Sequence, residues 1–123
     1  MTPVEIIEQA MLEGVHLALS PTGSLTASGD QAAVDRWLPV IRENKPGILM
    51  ELQRERRREK VLAMLEEKHF ALFVENDRTD PVIATVGMRG MATFELAIPR
   101  HSYNGMELLE LIEKHYGENY ANT

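Results

Sequence analysis

Apolar residues in the opening stretch recur three and four positions apart, at Val4, Ile7, Met11 and Leu12. That is the spacing of one face of a helix. Thr2 before Pro3, with Glu5 three residues on, supplies a capping threonine, a proline suited to the first helical position and a capping-box glutamate. Gly14 then ends the helix. From Val15 the period drops to two: Val15, Leu17 and Leu19 alternate with His16 and Ala18, as in a half-buried strand. Ser20-Pro21-Thr22-Gly23-Ser24 is dense in turn formers, and Leu25-Thr26-Ala27 can return as a second strand. The pattern predicts a helix followed by a hairpin.

Asp30 is placed to cap a second helix, with Ala33, Val34, Trp37 and Leu38 facing inward. Pro39 is expected to break or restart it, because a mid-helix proline loses a hydrogen bond and crowds the preceding turn. Val40 and Ile41 carry the apolar face on to a second break at Asn44-Lys45-Pro46. From there Ile48, Leu49 and Leu52 start a further helix, and nothing in residues 53–60 stops it. Val61, Leu62 and Leu65 resume the apolar spacing. One long helix is predicted from about Pro46 to about Lys68.

The second half changes period. Phe70-Ala71-Leu72-Phe73-Val74 and residues 82–86 read as strands around a polar turn at 76–81. Gly87-Met88-Arg89-Gly90 reads as a tight turn. Beyond it Ala92, Phe94, Leu96 and Ile98 alternate with Thr93, Glu95 and Ala97. Asn104 with Glu107 marks another helix cap, followed by Leu108, Leu109, Leu111, Ile112 and Tyr116 as an apolar face and fraying after Gly117. The expected fold is α+β. A helix–hairpin–helices module (residues 1–53) is joined by the long helix to a three-stranded antiparallel meander capped by a C-terminal helix (residues 54–123).

Composition narrows the function classes. A 44% apolar and 26% charged chain is ordinary for a globular protein. No apolar run approaches the roughly 20 residues that span a bilayer, so no membrane role is expected. The chain has no cysteine, which removes disulfides and thiolate metal sites and fits a cytoplasmic protein. The net charge of −6 works against general coating of nucleic acid. Charge is unevenly spread, however. Basic and acidic residues number three and seven in 1–53, six and four in 54–68, and four and eight in 69–123. Only the middle stretch is basic, through Arg54, Arg56, Arg57, Arg58 and Lys60. Arg89 and Arg100 would extend such a patch.

The first half resembles the TubC-type N-terminal docking domain of nonribosomal peptide and polyketide synthase subunits. The residues that carry the resemblance are Gly14-Val15-His16-Leu17 leaving the first helix and Gly23 and Leu25 in the hairpin. Leu38, Ile41, Lys45, Ile48, Leu49 and Leu52 continue it through the helices. It covers about residues 3–52, and the rest of the chain resembles no synthase domain. The resemblance implies a dimerising helix–hairpin–helices fold that offers its hairpin edge to an extended peptide from a partner. Similar segments occur in small bacterial proteins outside synthases.

Catalytic chemistry finds no foothold. His16, His69, His101 and His115 show no metal-ligand spacing, and no Gly-x-Ser-x-Gly elbow or phosphate loop with lysine occurs. Gly87-x-x-Gly90 matches a nucleic-acid loop only superficially, since strands flank it. The reading is therefore an interaction module with no enzyme activity, no cofactor and no metal. It is a homodimer that binds a protein partner or peptide through Val15, Leu17, Leu19, Leu25 and Ala27. The alternative is an accessory nucleic-acid-binding protein of a mobile element, contacting phosphate through Arg54, Arg56, Arg57, Arg58 and Lys60.

Overall fold

Helix α1 (Pro3–Leu12) starts where Thr2 places it: the Thr2 hydroxyl accepts the Glu5 backbone N–H at 3.2 Å. In this computed structural model, residues 1–121 are described, with side chains through His115. The chain is mixed helix and strand, α+β, and divides into two units, Met1–Glu55 and Arg56–Thr123.

In the first unit α1 leads into β1 (His16–Leu19) and β2 (Leu25–Ser28), an antiparallel two-stranded sheet. Then come α2 (Gln31–Glu43) and the first half of α3 (Lys45–Met64). The core joins Ile6, Ala10, Val15, Leu17, Ala33, Trp37, Ile41 and Ile48, with Leu25, Ala27 and Leu52 packed against it. Ala33, Trp37 and Ile41 lie four residues apart, so they form one stripe of α2.

Three local expectations are corrected here. The inward face of α1 is Ile6 and Ala10, while Val4, Met11 and Leu12 are exposed. Asp30 occupies the N-cap of α2 without a side-chain capping bond. Pro39 does not break α2, which runs through it to Glu43. Its ring lies on the exposed side, where water can take up the backbone carbonyl that proline leaves without a donor. The second break is where the composition puts it. Asn44 ends α2, its side-chain amide donating to the Val40 carbonyl at 2.8 Å, and α3 begins at the next residue.

The second unit holds the rest of α3, a meander of β3 (Phe70–Val74), β4 (Val82–Met88) and β5 (Ala92–Ile98), and α4 (Gly105–Ala121). Helix α3 ends at Met64, short of the expected Lys68. The chain closes it with turns. The Glu66 N–H donates to the Ala63 carbonyl at 3.3 Å, and the Glu67 and Lys68 N–H groups donate to the Met64 carbonyl at 3.3 and 3.1 Å. Asn104 caps α4 by accepting the N–H groups of Met106 and Glu107 at 3.1 and 3.2 Å. The helix continues to Ala121, beyond the fraying point expected at Gly117. The Tyr116 side chain lies outside the described residues. Leu62 and Leu111, expected on inward faces, are exposed.

Each face of the meander takes a helix. Val61, Leu65 and Met64 of the α3 end pack on Ala71 and Phe73. Leu108 and Ile112 of α4 pack on the opposite set, Phe70, Leu72, Val86, Met88 and Leu96. Period-two alternation along β3 sends neighbouring residues to opposite helices.

Gly87 is a strand residue, paired with Ala71 and Thr93, and not the first residue of a turn. The turn is residues 88–91, closed by the Met91 N–H on the Met88 carbonyl at 3.0 Å. Gly87 is needed for contact. A Cβ there would lie 2.4 Å from Val61 Cγ1 and 2.8 Å from Leu65 Cδ1. Overpacking of this kind costs about 1–2 kcal/mol when side chains can shift. Gly87→Ala is expected to destabilise the second unit by that amount, read from amide exchange along β4 in urea.

Candidate functional site

The hairpin turn fixes which backbone groups of β1 and β2 face outward. The Gly23 N–H donates to the Ser20 carbonyl at 2.9 Å, and the Ser20 N–H donates to the Ser24 carbonyl at 2.8 Å. With Gly23 at φ +87°, this is a three-residue loop whose last residue is left-handed, a conformation glycine adopts without strain. The Ser20 hydroxyl accepts the Ser24 N–H at 3.0 Å and lies 2.6 Å from the Ser24 hydroxyl, which stiffens the turn.

Ser20 and Ser24 therefore form a hydrogen-bonded pair, and pairs alternate along an antiparallel ladder. The register is Leu19↔Leu25, Ala18↔Thr26, Leu17↔Ala27 and His16↔Ser28. Ala18↔Thr26 and His16↔Ser28 are then bonded across the hairpin. Leu17, Leu19, Leu25 and Ala27 turn their N–H and C=O groups to the outer edges.

The two edges differ in exposure. Val15 and Leu17 are 0% and 3% exposed, sealed in the core. Leu19, Leu25 and Ala27 are half-buried, and Thr26 and Ser28 between and beside them are exposed. Of the five residues singled out as partner contacts, Val15 and Leu17 thus anchor the hairpin, and their side chains are not surface groups. Leu25 and Ala27 on β2 combine outward backbone groups with partial exposure. The solvated face of the same hairpin carries His16, where its alternation with Val15 and Leu17 puts it, together with Thr26 and Ser28, which hydropathy alone marks only as polar. The signal that finds them is the ladder pairing, since a strand added beside β2 would lie next to Thr26 and Ser28.

The basic stretch is organised differently. Arg57 reaches Glu95 of β5 with two bonds, Nε to Oε2 at 2.6 Å and Nη2 to Oε1 at 3.1 Å. The buried Thr85 hydroxyl donates to the same Glu95 Oε2 at 3.0 Å. Arg56 pairs with Glu75, just beyond β3. Arg54 pairs with Glu51 at 3.1 Å, three residues earlier on α3. Arg54, Arg58 and Lys60 are exposed, whereas Arg56 and Arg57 are half-buried. Arg89 does not extend an open patch: its guanidinium donates to the Leu65 and Glu66 carbonyls, both at 2.8 Å, closing the end of α3. Arg100 is exposed in a 3₁₀ turn, Arg100–Ser102, where its backbone N–H donates to Asp80.

His16, His69, His101 and His115 are all exposed. Among the described residues no three His, Asp or Glu side chains gather as a metal site, and no helix is long and apolar enough to cross a membrane. No family model, curated protein or solved structure matches the chain.

Proposed function

We propose that this chain is a protein-docking module whose hairpin receives an extended segment of a partner along β2. The observation that carries the reading is the ladder phase: Leu25 and Ala27 direct their N–H and C=O groups outward from a half-exposed strand. A strand whose outer backbone groups lack a neighbour is a template for another, and an added strand supplies the bonds. The buried Val15, Leu17 and Trp37 beneath hold that template in place. This is the docking mode that the TubC resemblance implies, and it needs neither a catalytic group nor a cofactor.

The nucleic-acid alternative has weaker support. Of its five cations, Arg54, Arg56 and Arg57 are engaged by Glu51, Glu75 and Glu95. Freeing them for phosphate would break a two-point ion pair.

The test is capture from the native host's lysate at low and high salt, with partners identified by mass spectrometry. Strand addition predicts a protein partner that survives high salt, because backbone bonds are weakly screened compared with phosphate contacts. Ala27→Pro should abolish capture while leaving the fold intact, since the Ala27 N–H is not used inside the hairpin. Thr26→Pro, which removes a ladder bond, should unfold the hairpin itself. Recovery of nucleic acid at low salt only, unaffected by Ala27→Pro, would overturn the reading.

A further inference from the structure

In the order β3-β4-β5, β3 is an outer strand of the second unit's sheet. The Arg89 N–H donates to the His69 carbonyl at 2.8 Å, so His69 and Arg89 form a bonded pair at the start of the ladder. The register Phe70↔Met88, Ala71↔Gly87, Leu72↔Val86, Phe73↔Thr85, Val74↔Ala84 continues from there. Alternation then bonds Ala71 and Phe73 to β4 and turns the N–H and C=O groups of Leu72 and Val74 to the outer edge.

A cleft of about 510 Å³ lies along this edge. Its lining includes Ala71 from the α3 face of β3, Leu72 from the α4 face, Met64 of α3 and Leu109 of α4, with Lys68 and His69 at one end. It is a groove floored by a strand edge and walled by a helix on each side, and its shape and apolar lining suit another strand.

Charge along β3 selects the occupant. The segment starts Lys68-His69, runs through Phe70–Val74 without charge, and ends at Glu75. Such a segment is complementary to itself in antiparallel orientation. With the two-fold axis at Leu72, Leu72 faces Leu72 of the second copy, Phe70 faces Val74, and His69 faces Glu75. The Leu72–Leu72 pair and the two Phe70–Val74 pairs then fall on the α4 face, and the two His69–Glu75 pairs on the α3 face, where Glu75 also holds Arg56. An axis at Ala71 would set Glu75 opposite Glu67 of the second copy, and one at Phe73 would set Lys68 opposite Arg78, like charges in both registers.

We propose that a second copy of this chain docks on β3 across this two-fold axis, joining two three-stranded meanders into one six-stranded sheet. A two-fold contact of this kind is isologous, the same patch serving both copies. It is separate from the β2 edge, which stays available for a partner, so either surface can fail without the other.

Self-association of the full chain is measured by sedimentation velocity across the micromolar to millimolar range. The expected result is a dimer. Leu72→Pro should make it monomeric with its circular dichroism retained, because the Leu72 N–H plays no part in the β3–β4 ladder. His69→Glu, which sets two carboxylates opposite each other at two symmetric positions, should weaken the dimer about tenfold, and His69→Lys should preserve it.

Geometry is tested by oxidation of single-cysteine variants, since the chain has no cysteine of its own. Leu72→Cys should form a disulfide-linked dimer, its Cα atoms facing at about 5.5 Å. Val74→Cys should not, being displaced from its counterpart along the strand. A monomer throughout, or a dimer that survives Leu72→Pro and does not crosslink through Leu72→Cys, would overturn the proposal. So would a monomer that binds a partner's peptide in this groove.

Discussion

Gly29→Ala is expected to destabilise the first unit by roughly 4 kcal/mol, enough to unfold much of it at ambient temperature. Gly29 sits between β2 and α2 at φ +144°, a region that L side chains rarely adopt. Holding a side chain there costs about 1–3 kcal/mol. Space adds a second cost. A Cβ at Gly29 would lie 2.2 Å from the Gly14 carbonyl oxygen and 3.4 Å from the Val15 Cα. Those are backbone atoms, fixed by the end of α1 and the start of the hairpin, so they cannot yield as a side chain would. Overpacking against them adds about 1–3 kcal/mol. Trp37 is the lone tryptophan and lies in this unit's core, so its fluorescence in a urea titration reads the effect directly. A loss under about 1 kcal/mol would mean that the approach of Gly29 to Gly14 is not a fixed feature of the fold.

Arg57→Ala should cost the second unit about 2–3 kcal/mol, the next largest effect. Only 15% of the Arg57 side chain and 22% of the Glu95 side chain are exposed. Removing the arginine leaves a part-buried carboxylate without its two-point cation, short of the roughly 3–5 kcal/mol seen for fully buried pairs. Thr85 still donates to Glu95 but brings no charge. Arg57→Lys should recover only part of the loss, because an ammonium cannot make the paired contact. By contrast Arg54→Ala, at an exposed pair, should change stability by under about 1 kcal/mol. Amide exchange of β4 and β5 in urea separates these outcomes. Equal small effects at both positions would mark the basic stretch as a solvated face, and its arginines would again be open to a phosphate ligand.

These two sites show which features the sequence discloses. The hairpin and the meander are legible because alternation at residues 15–19 and 92–98 is local and period two is unambiguous. The cap residues Thr2 and Asn104 are legible for the same reason. The inward face of α1 is not, because Val4, Ile6, Ile7, Ala10, Met11 and Leu12 place apolar groups around most of the helix. What selects Ile6 and Ala10 is tertiary: the Val15 N–H donates to the Ala10 carbonyl at 2.8 Å, folding the hairpin back onto that side.

Gly87 misleads for a related reason. Gly-x-x-Gly has turn composition, yet its first glycine answers to Val61 and Leu65, over 20 positions earlier in the chain, on the helix above it. The arginines are the clearest case. Residues 54–60 read as an open basic face until Glu75 and Glu95, 19 and 38 residues downstream, are brought to Arg56 and Arg57 by the meander. For the hairpin edge, the sequence located the strands, but choosing β2 over β1 required the ladder phase and the burial of Leu17.

If β2 is an open backbone edge that a partner strand closes, its amides must report the closure. Residue-resolved amide hydrogen exchange of the hairpin, free and with the captured partner, tests this most directly. In the free protein the Thr26 and Ser28 amides should be protected by β1, and those of Leu25 and Ala27 should exchange quickly. With the partner bound, Leu25 and Ala27 should become protected. Protection of Leu25 and Ala27 in the free protein, or partner-induced protection confined to residues 54–60, would contradict the docking role.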